Sequence, residues 1–86
     1  MYLHLGEETI VITSSIIGVF DIENTSVSKH TKEFLSAAEK SGNVVNVSYD
    51  MPKSFTVCSD RYGEKVYISP ISAATLKKRS LKNISE

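Results

Sequence analysis

The segment from Asn43 to Arg79 constrains the fold most, because it combines an alternating strand, a turn and a capped helix. Residues 43–49 alternate apolar and polar side chains, which predicts a half-buried strand. Pro52 ends this run and leaves Lys53 on a loop. Val45, Val47 and Tyr49 are expected on one face of this strand, and Asn46 and Ser48 on the other.

A β-hairpin and a helix follow this loop. Residues 54–59 and 64–69 are predicted to be strands joined through a turn of residues 60–63, in which Gly63 can adopt positive φ. Ser72 is predicted to cap a helix that ends in Lys77, Lys78 and Arg79, where cations complement the helix dipole. Residues 80–86 are expected to fray.

The first half of the chain predicts a second hairpin and a longer strand. Tyr2–Leu5 and Glu8–Thr13 are β-rich runs on either side of Gly6. Ile16–Ile22 is predicted to be a central strand of the sheet, in which Gly18 allows a close approach or a bulge. One face of this strand is expected to carry Ile16, Phe20 and Ile22.

A helix is predicted after a polar break at residues 24–28. Ser28 is its expected N-cap, and Gly42 is expected to end it as a left-handed C-terminal cap. Its apolar face should consist of Thr31, Phe34, Leu35 and Ala38. The order of elements predicts an α+β fold, with a mainly antiparallel sheet of about five to six short strands and two helices. Residues 1–86 are expected to form one domain.

The length of the chain favours self-association. A domain of 86 residues buries only about 60% of its unfolded surface, and a single cysteine, Cys58, excludes an internal disulfide. Exposed apolar strand faces and tyrosines are natural subunit contacts. The residues expected there are Ile10, Ile12, Phe55, Val57, Val66 and Ile68, together with Tyr2, Tyr49, Tyr62 and Tyr67.

The sequence shows no constellation typical of an enzyme. His4 and His30 lack metal-ligand spacing, and Cys58 fits a small buried apolar residue better than a nucleophile. Glu7 and Glu8 would point to opposite faces of a strand, so they fit a solvated turn better than a catalytic pair. We expect no catalytic residue, metal or cofactor. We also expect no membrane insertion and a cytoplasmic location, because the N-terminus lacks a signal-like apolar core.

The basic residues offer a candidate DNA-binding site. Ten basic and ten acidic residues cancel, so any contact with a polyanion must come from a local patch or from one repeated by symmetry. The candidates are Lys53, Lys77, Lys78 and Arg79. The alternatives are a solvated loop lysine for Lys53 and a dipole complement on a solvated face for the other three.

Four segments carry a family resemblance: MYLHLGEETIV, IIGVFDIENT, GNVVNVSYDMPKSFTVC and VYISPISAATLKKR. With these segments the chain resembles the RemA/RemB family of bacterial extracellular matrix regulatory proteins, specifically its RemB branch. The resemblance implies a cytoplasmic homo-oligomer that closes into a ring, and in the RemA branch a DNA-binding activator of matrix genes. In the RemA branch, the loop that corresponds to the one after the 43–49 strand carries a cluster of arginines. In this chain Lys53 is the single cation of that loop.

Two hypotheses follow. The first is a non-enzymatic oligomeric regulator of matrix and biofilm genes that contacts duplex DNA phosphates through Lys53, Lys77, Lys78 and Arg79. The second is a protein-interaction or scaffold module of the same fold, for example with a RemA-type partner, that does not bind DNA appreciably.

Overall fold

A computed structural model of the chain describes residues 2–22 and 29–85. It confirms the α+β class, with six strands and two helices in these ranges. The elements are β1 (Tyr2–Gly6), β2 (Thr9–Ile12), β3 (Ile16–Asp21), α1 (Lys29–Lys40), β4 (Val44–Asn46), β5 (Ser54–Asp60), β6 (Gly63–Ser69) and α2 (Ala73–Ser85). One turn of 3₁₀ helix, Thr13–Ser15, joins β2 to β3.

The N-terminal hairpin is a separate two-stranded sheet. β1 and β2 pair antiparallel around an exposed turn in which Glu7 has φ of 43°. Leu3, Leu5 and Val11 are buried on its inner face. The outer face exposes Tyr2, Ile10 and Ile12, as the sequence predicts for the two isoleucines.

The other four strands form a sheet in the order β3-β5-β6-β4. The prediction that β3 is central is therefore wrong. The β5–β6 hairpin, with two strands of seven residues each, occupies the centre, and β3 pairs with β5 alone. β4 pairs parallel with β6 and is only three residues long, so the predicted 43–49 strand ends early.

The bulge expected near Gly18 is present. Ile16 pairs with Cys58 but Gly18 pairs with Val57, so β3 carries one extra residue between them. This residue reverses the side-chain alternation. Ile16 packs against one core cluster and Ile22 against the other, so the prediction that both share a face is wrong.

The β5–β6 hairpin is confirmed. The backbone N–H of Tyr62 donates to Asp60 Oδ1 at 2.8 Å, and Gly63 has φ of 118°. The short aspartate side chain and the glycine together supply what a tight hairpin turn requires.

Helix α1 ends as predicted. Gly42 has φ of 74°, its N–H donates to Glu39 O, and the N–H of Asn43 donates to Ala38 O, both at 3.0 Å. This pair of bonds is a Schellman motif. Its predicted N-cap, Ser28, lies outside the described residues.

Helix α2 begins at the predicted cap but ends later than predicted. The N–H of Thr75 donates to Ser72 Oγ at 3.2 Å, which is the bond of an N-cap. The helical backbone then continues to Ser85, so Lys77, Lys78 and Arg79 lie in mid-helix. The dipole explanation for these cations is therefore wrong, because that effect is confined to the last turn.

The core is divided between the two faces of the four-stranded sheet. On one face, the hairpin and α2 bury a cluster of Leu3, Leu5, Val11, Val47, Cys58 and Leu76. On the other, α1 covers Phe55, Val57 and Val66. These three residues are buried, so the prediction that they belong to exposed strand faces is wrong. They are buried because α1 packs on their face of the sheet, while the hairpin and α2 pack on the opposite face.

Candidate functional site

Lys53 lies at an exposed end of the four-stranded sheet, on a backbone held from both sides. Its N–H donates to Ser69 O at 2.9 Å, and its carbonyl accepts from the N–H of Ile22 at 3.0 Å. The side chain is exposed. The sheet thus holds this lysine in a fixed place while its ammonium group stays in solvent.

The three cations of α2 point in different directions. Successive residues of an α-helix are about 100° apart, so neighbours in sequence do not share a face. With Leu76 buried against the core, Lys77 faces a cleft beside β3 that is also lined by Ile16, Gly18 and Val19. Arg79 lies on the opposite flank, where its guanidinium is 3.4 Å from the carbonyl oxygen of His4.

The structure separates Lys53 from Lys77 along the sheet. Lys53 precedes the first residue of β5, whereas Lys77 lies beside β3 residues that pair with Thr56, Val57 and Cys58. At about 3.3 Å per strand residue, the two positions are roughly 10–17 Å apart along the sheet. Lys53 and Lys77 of one subunit are therefore spaced and do not form one dense patch.

The loop before Lys53 exposes Tyr49, which the sequence predicts as a sheet-face or interface residue, and Met51, which the sequence reasoning missed. Tyr49 and Met51 are 107% and 83% exposed. The alternating pattern predicts Tyr49 on a strand face beside Val47, but β4 ends at Asn46 and only Val47 turns into the core. The signal available in the sequence is the helix- and strand-breaking Pro52, which places Met51 on the loop. We call Tyr49 and Met51 the loop tip.

A second missed feature is a groove of about 380 Å³ between α1 and the β3 side of the sheet. We call it the aromatic groove. It is lined by Ile17, Phe20, Phe34, Phe55 and Val57, with His30, Thr31 and Glu64 completing it. The Phe20 and Phe55 rings stack with centroids 5.0 Å apart, and the Phe34 ring is 6.4 Å from Phe55. Ile17 and Phe20 remain 61% and 46% exposed, because α1 does not reach over β3.

The fold raises the pKa of two side chains, Cys58 and Tyr67. Burial raises the pKa of the Cys58 thiol, a hydrogen bond from Ser15 opposes the rise, and Asp60 adds to it. Burial also raises the pKa of Tyr67. A buried, protonated thiol is a poor nucleophile. Within residues 2–22 and 29–85, no three His, Cys, Asp or Glu side chains are grouped to hold a metal ion.

Comparison with known proteins identifies the family. The family model described as "RemA-like: Extracellular matrix regulatory protein A-like" matches residues 2–80. The chain belongs to the RemA-like family. It is also 38% identical, over 80 residues, to "Extracellular matrix regulatory protein B" of Bacillus subtilis strain 168. That alignment covers 93% of this chain and 90% of its relative. These matches confirm the resemblance to the RemB branch.

None of the helices in the described part of the chain has the length and apolar character needed to cross a bilayer.

Proposed function

We propose that this protein is a non-enzymatic, cytoplasmic regulator of extracellular matrix genes that assembles into a homo-oligomer and contacts duplex DNA through phosphates. The contacts are made by Lys53, Lys77, Lys78 and Arg79. The observation that carries the proposal is the exposed Lys53 on a backbone that is hydrogen-bonded to the end of β6 and to Ile22, the residue after β3. The family match supports the regulatory role.

Assembly is needed because one subunit is neutral and its Lys53 and Lys77 lie apart. Repeating the subunit around an axis places its cations at regular intervals, and such a track follows a duplex without reading its sequence. Binding of this kind depends strongly on salt, since each neutralised phosphate releases counterions. A ring is the closed form of such an assembly.

A protein-interaction module is a second candidate, with another copy of this chain or a RemA-type protein as partner. The loop tip favours it. Tyr and Met are enriched at protein interfaces, and two such side chains exposed on an anchored loop fit an interface anchor. In this case duplex DNA would not be bound appreciably.

Fluorescence anisotropy with a labelled duplex, measured across a salt series, tests the first candidate. We expect Lys53→Ala/Lys78→Ala to bind more weakly and to reduce the salt slope by about 0.9 for each phosphate that the variant no longer neutralises. The matched control is Lys32→Ala/Lys40→Ala, which removes two exposed lysines of α1. No binding by the wild type at low salt would contradict the DNA proposal, and an equal weakening in the control would contradict the assigned residues.

A further inference from the structure

The aromatic groove combines three phenylalanine rings with one formal charge. Among the described residues that line it, Glu64 alone is charged, since histidine counts as neutral at pH 7. We propose that the groove binds a small organic cation with a quaternary ammonium head and an apolar body. The head lies beside Glu64 and Phe34, and the body lies against Ile17 and Phe20. This ligand site goes beyond the proposed function and does not rest on it.

The groove offers apolar surface on which such a body can be buried. Phe55 and Val57 are buried beneath it, while the rings of Phe20 and Phe34 are 46% and 39% exposed at its sides. Its volume of about 380 Å³ falls in the range of sites that take small molecules. Removing the apolar body of a ligand from water at these side chains favours binding.

The ring of Phe20 is held in position by its own strand and by the next one. A Cβ atom at Gly18 would lie 2.8 Å from the Cε2 and Cζ atoms of this ring, so the ring occupies the space that a side chain at Gly18 would need. Phe20 is paired with Phe55 across the β3–β5 ladder, and the two rings stack at an interplanar angle of 20°. The apolar end of the groove is therefore a fixed aromatic surface.

Glu64 and Phe34 lie together at the other end of the groove. Both also line a neighbouring pocket between α1 and β6. Glu64 pairs with Ser59 of β5, which is four residues along the strand from Phe55. At about 3.3 Å per residue, the two ends are roughly 13 Å apart along the strands. A ligand that reaches Glu64 with its charge can therefore extend its apolar body towards Phe20.

The lining favours a head that has no N–H groups. A primary ammonium brings three donors that need acceptors, and the groove offers few polar groups, at Glu64, Thr31 and His30. A quaternary ammonium has no donor to satisfy. It is attracted to a carboxylate and to the face of an aromatic ring within about 6 Å.

Ligand-observed NMR and isothermal titration calorimetry on the full chain test the proposal, with benzyltrimethylammonium as the probe. This probe joins a quaternary head to one aromatic ring. Benzyl alcohol keeps the ring without the charge, and tetramethylammonium keeps the charge without the ring. We expect the whole probe to bind at least about threefold more tightly than either smaller molecule.

Two variants locate the probe in the groove. Glu64→Gln should weaken the binding of benzyltrimethylammonium about three- to fivefold and leave that of benzyl alcohol unchanged. Phe20→Leu should weaken the binding of both of these molecules and leave that of tetramethylammonium unchanged. Glu39→Gln is the matched control, because it neutralises an exposed carboxylate of α1 that does not line the groove. Circular dichroism melts establish that the variants fold.

The outcomes separate this inference from the proposed function. The inference is overturned if the probe does not bind at millimolar concentration, if Glu64→Gln or Phe20→Leu binds it as tightly as the wild type, or if benzyl alcohol binds equally well. A probe that fails to bind, together with a loss of oligomer mass in Ile17→Asp by light scattering, would show instead that a second copy covers the groove. DNA binding is measured by anisotropy on other residues, so either proposal can fail alone.

Discussion

The side chain of Ser69 provides the sharpest test of what holds the N-terminal hairpin to the rest of the domain. Ser69 is fully buried at the end of β6. Its hydroxyl donates to the carbonyl oxygen of Leu5 in β1 and accepts from the backbone N–H of Ile71 at 3.1 Å. One hydroxyl thus joins the hairpin, the sheet and the approach to α2.

The expected cost of Ser69→Ala follows from these two bonds. The substitution leaves the Leu5 carbonyl buried without this partner, and an unsatisfied buried group costs about 1–3 kcal/mol. The N–H of Ile71 is less buried and can regain part of its bond from water, so we expect a total destabilisation of about 2–3 kcal/mol. Stability of a chain this size is roughly 4–13 kcal/mol. The melting temperature should fall by roughly 8–24 °C, at about 4–8 °C for each kcal/mol.

Urea and thermal unfolding, followed by circular dichroism at one fixed protein concentration, provide the measurement. Ser59→Ala is the matched control, because Ser59 is exposed on the neighbouring strand β5. It should change the free energy of unfolding by less than about 0.5 kcal/mol. If Ser69→Ala is as mild as this control, the hydroxyl does not join the hairpin to the sheet, and the reasoning is refuted.

Two other predictions concern backbone conformation and pH. Gly42→Ala should cost about 1–2 kcal/mol in thermal unfolding from its left-handed backbone alone, because an added Cβ meets nothing within 4 Å; Ser41→Ala should be nearly neutral, and an equal cost there would contradict the assignment. The raised pKa values of Cys58 and Tyr67 predict that stability falls as the pH rises above about 9, since the unfolded chain then loses its protons first. Urea midpoints at pH 7.5 and 10 check this, and a midpoint that does not fall would contradict it.

Features encoded within a few residues were predictable. The β5–β6 turn depends on Asp60 and Gly63, the end of α1 on Gly42, and the start of α2 on Ser72. Each satisfies backbone groups that lie beside it in sequence. The conformation of this turn and of these two helix ends is therefore set mainly by neighbouring residues.

The candidate site was predictable only in part. Pro52 indicates an exposed loop, and Lys53 is indeed exposed on it. The aromatic groove was missed because it joins Phe20 of β3, Phe34 of α1 and Glu64 of β6. No local pattern relates these residues, because they come from three separate elements of the fold.

By itself, the sequence determined the class of fold, the β5–β6 turn, the end of α1 and the start of α2, because these follow from short-range hydrogen bonding and side-chain periodicity. The family followed from the resemblance of four whole segments, which the comparisons confirm. The tertiary structure decided the position of β3 at the edge, the opposite faces of Ile16 and Ile22, and the separate directions of Lys77 and Arg79. These depend on which strands pair and on one inserted residue in β3. Pairing is a competition among distant segments for burial, and its result is settled only when the whole chain packs.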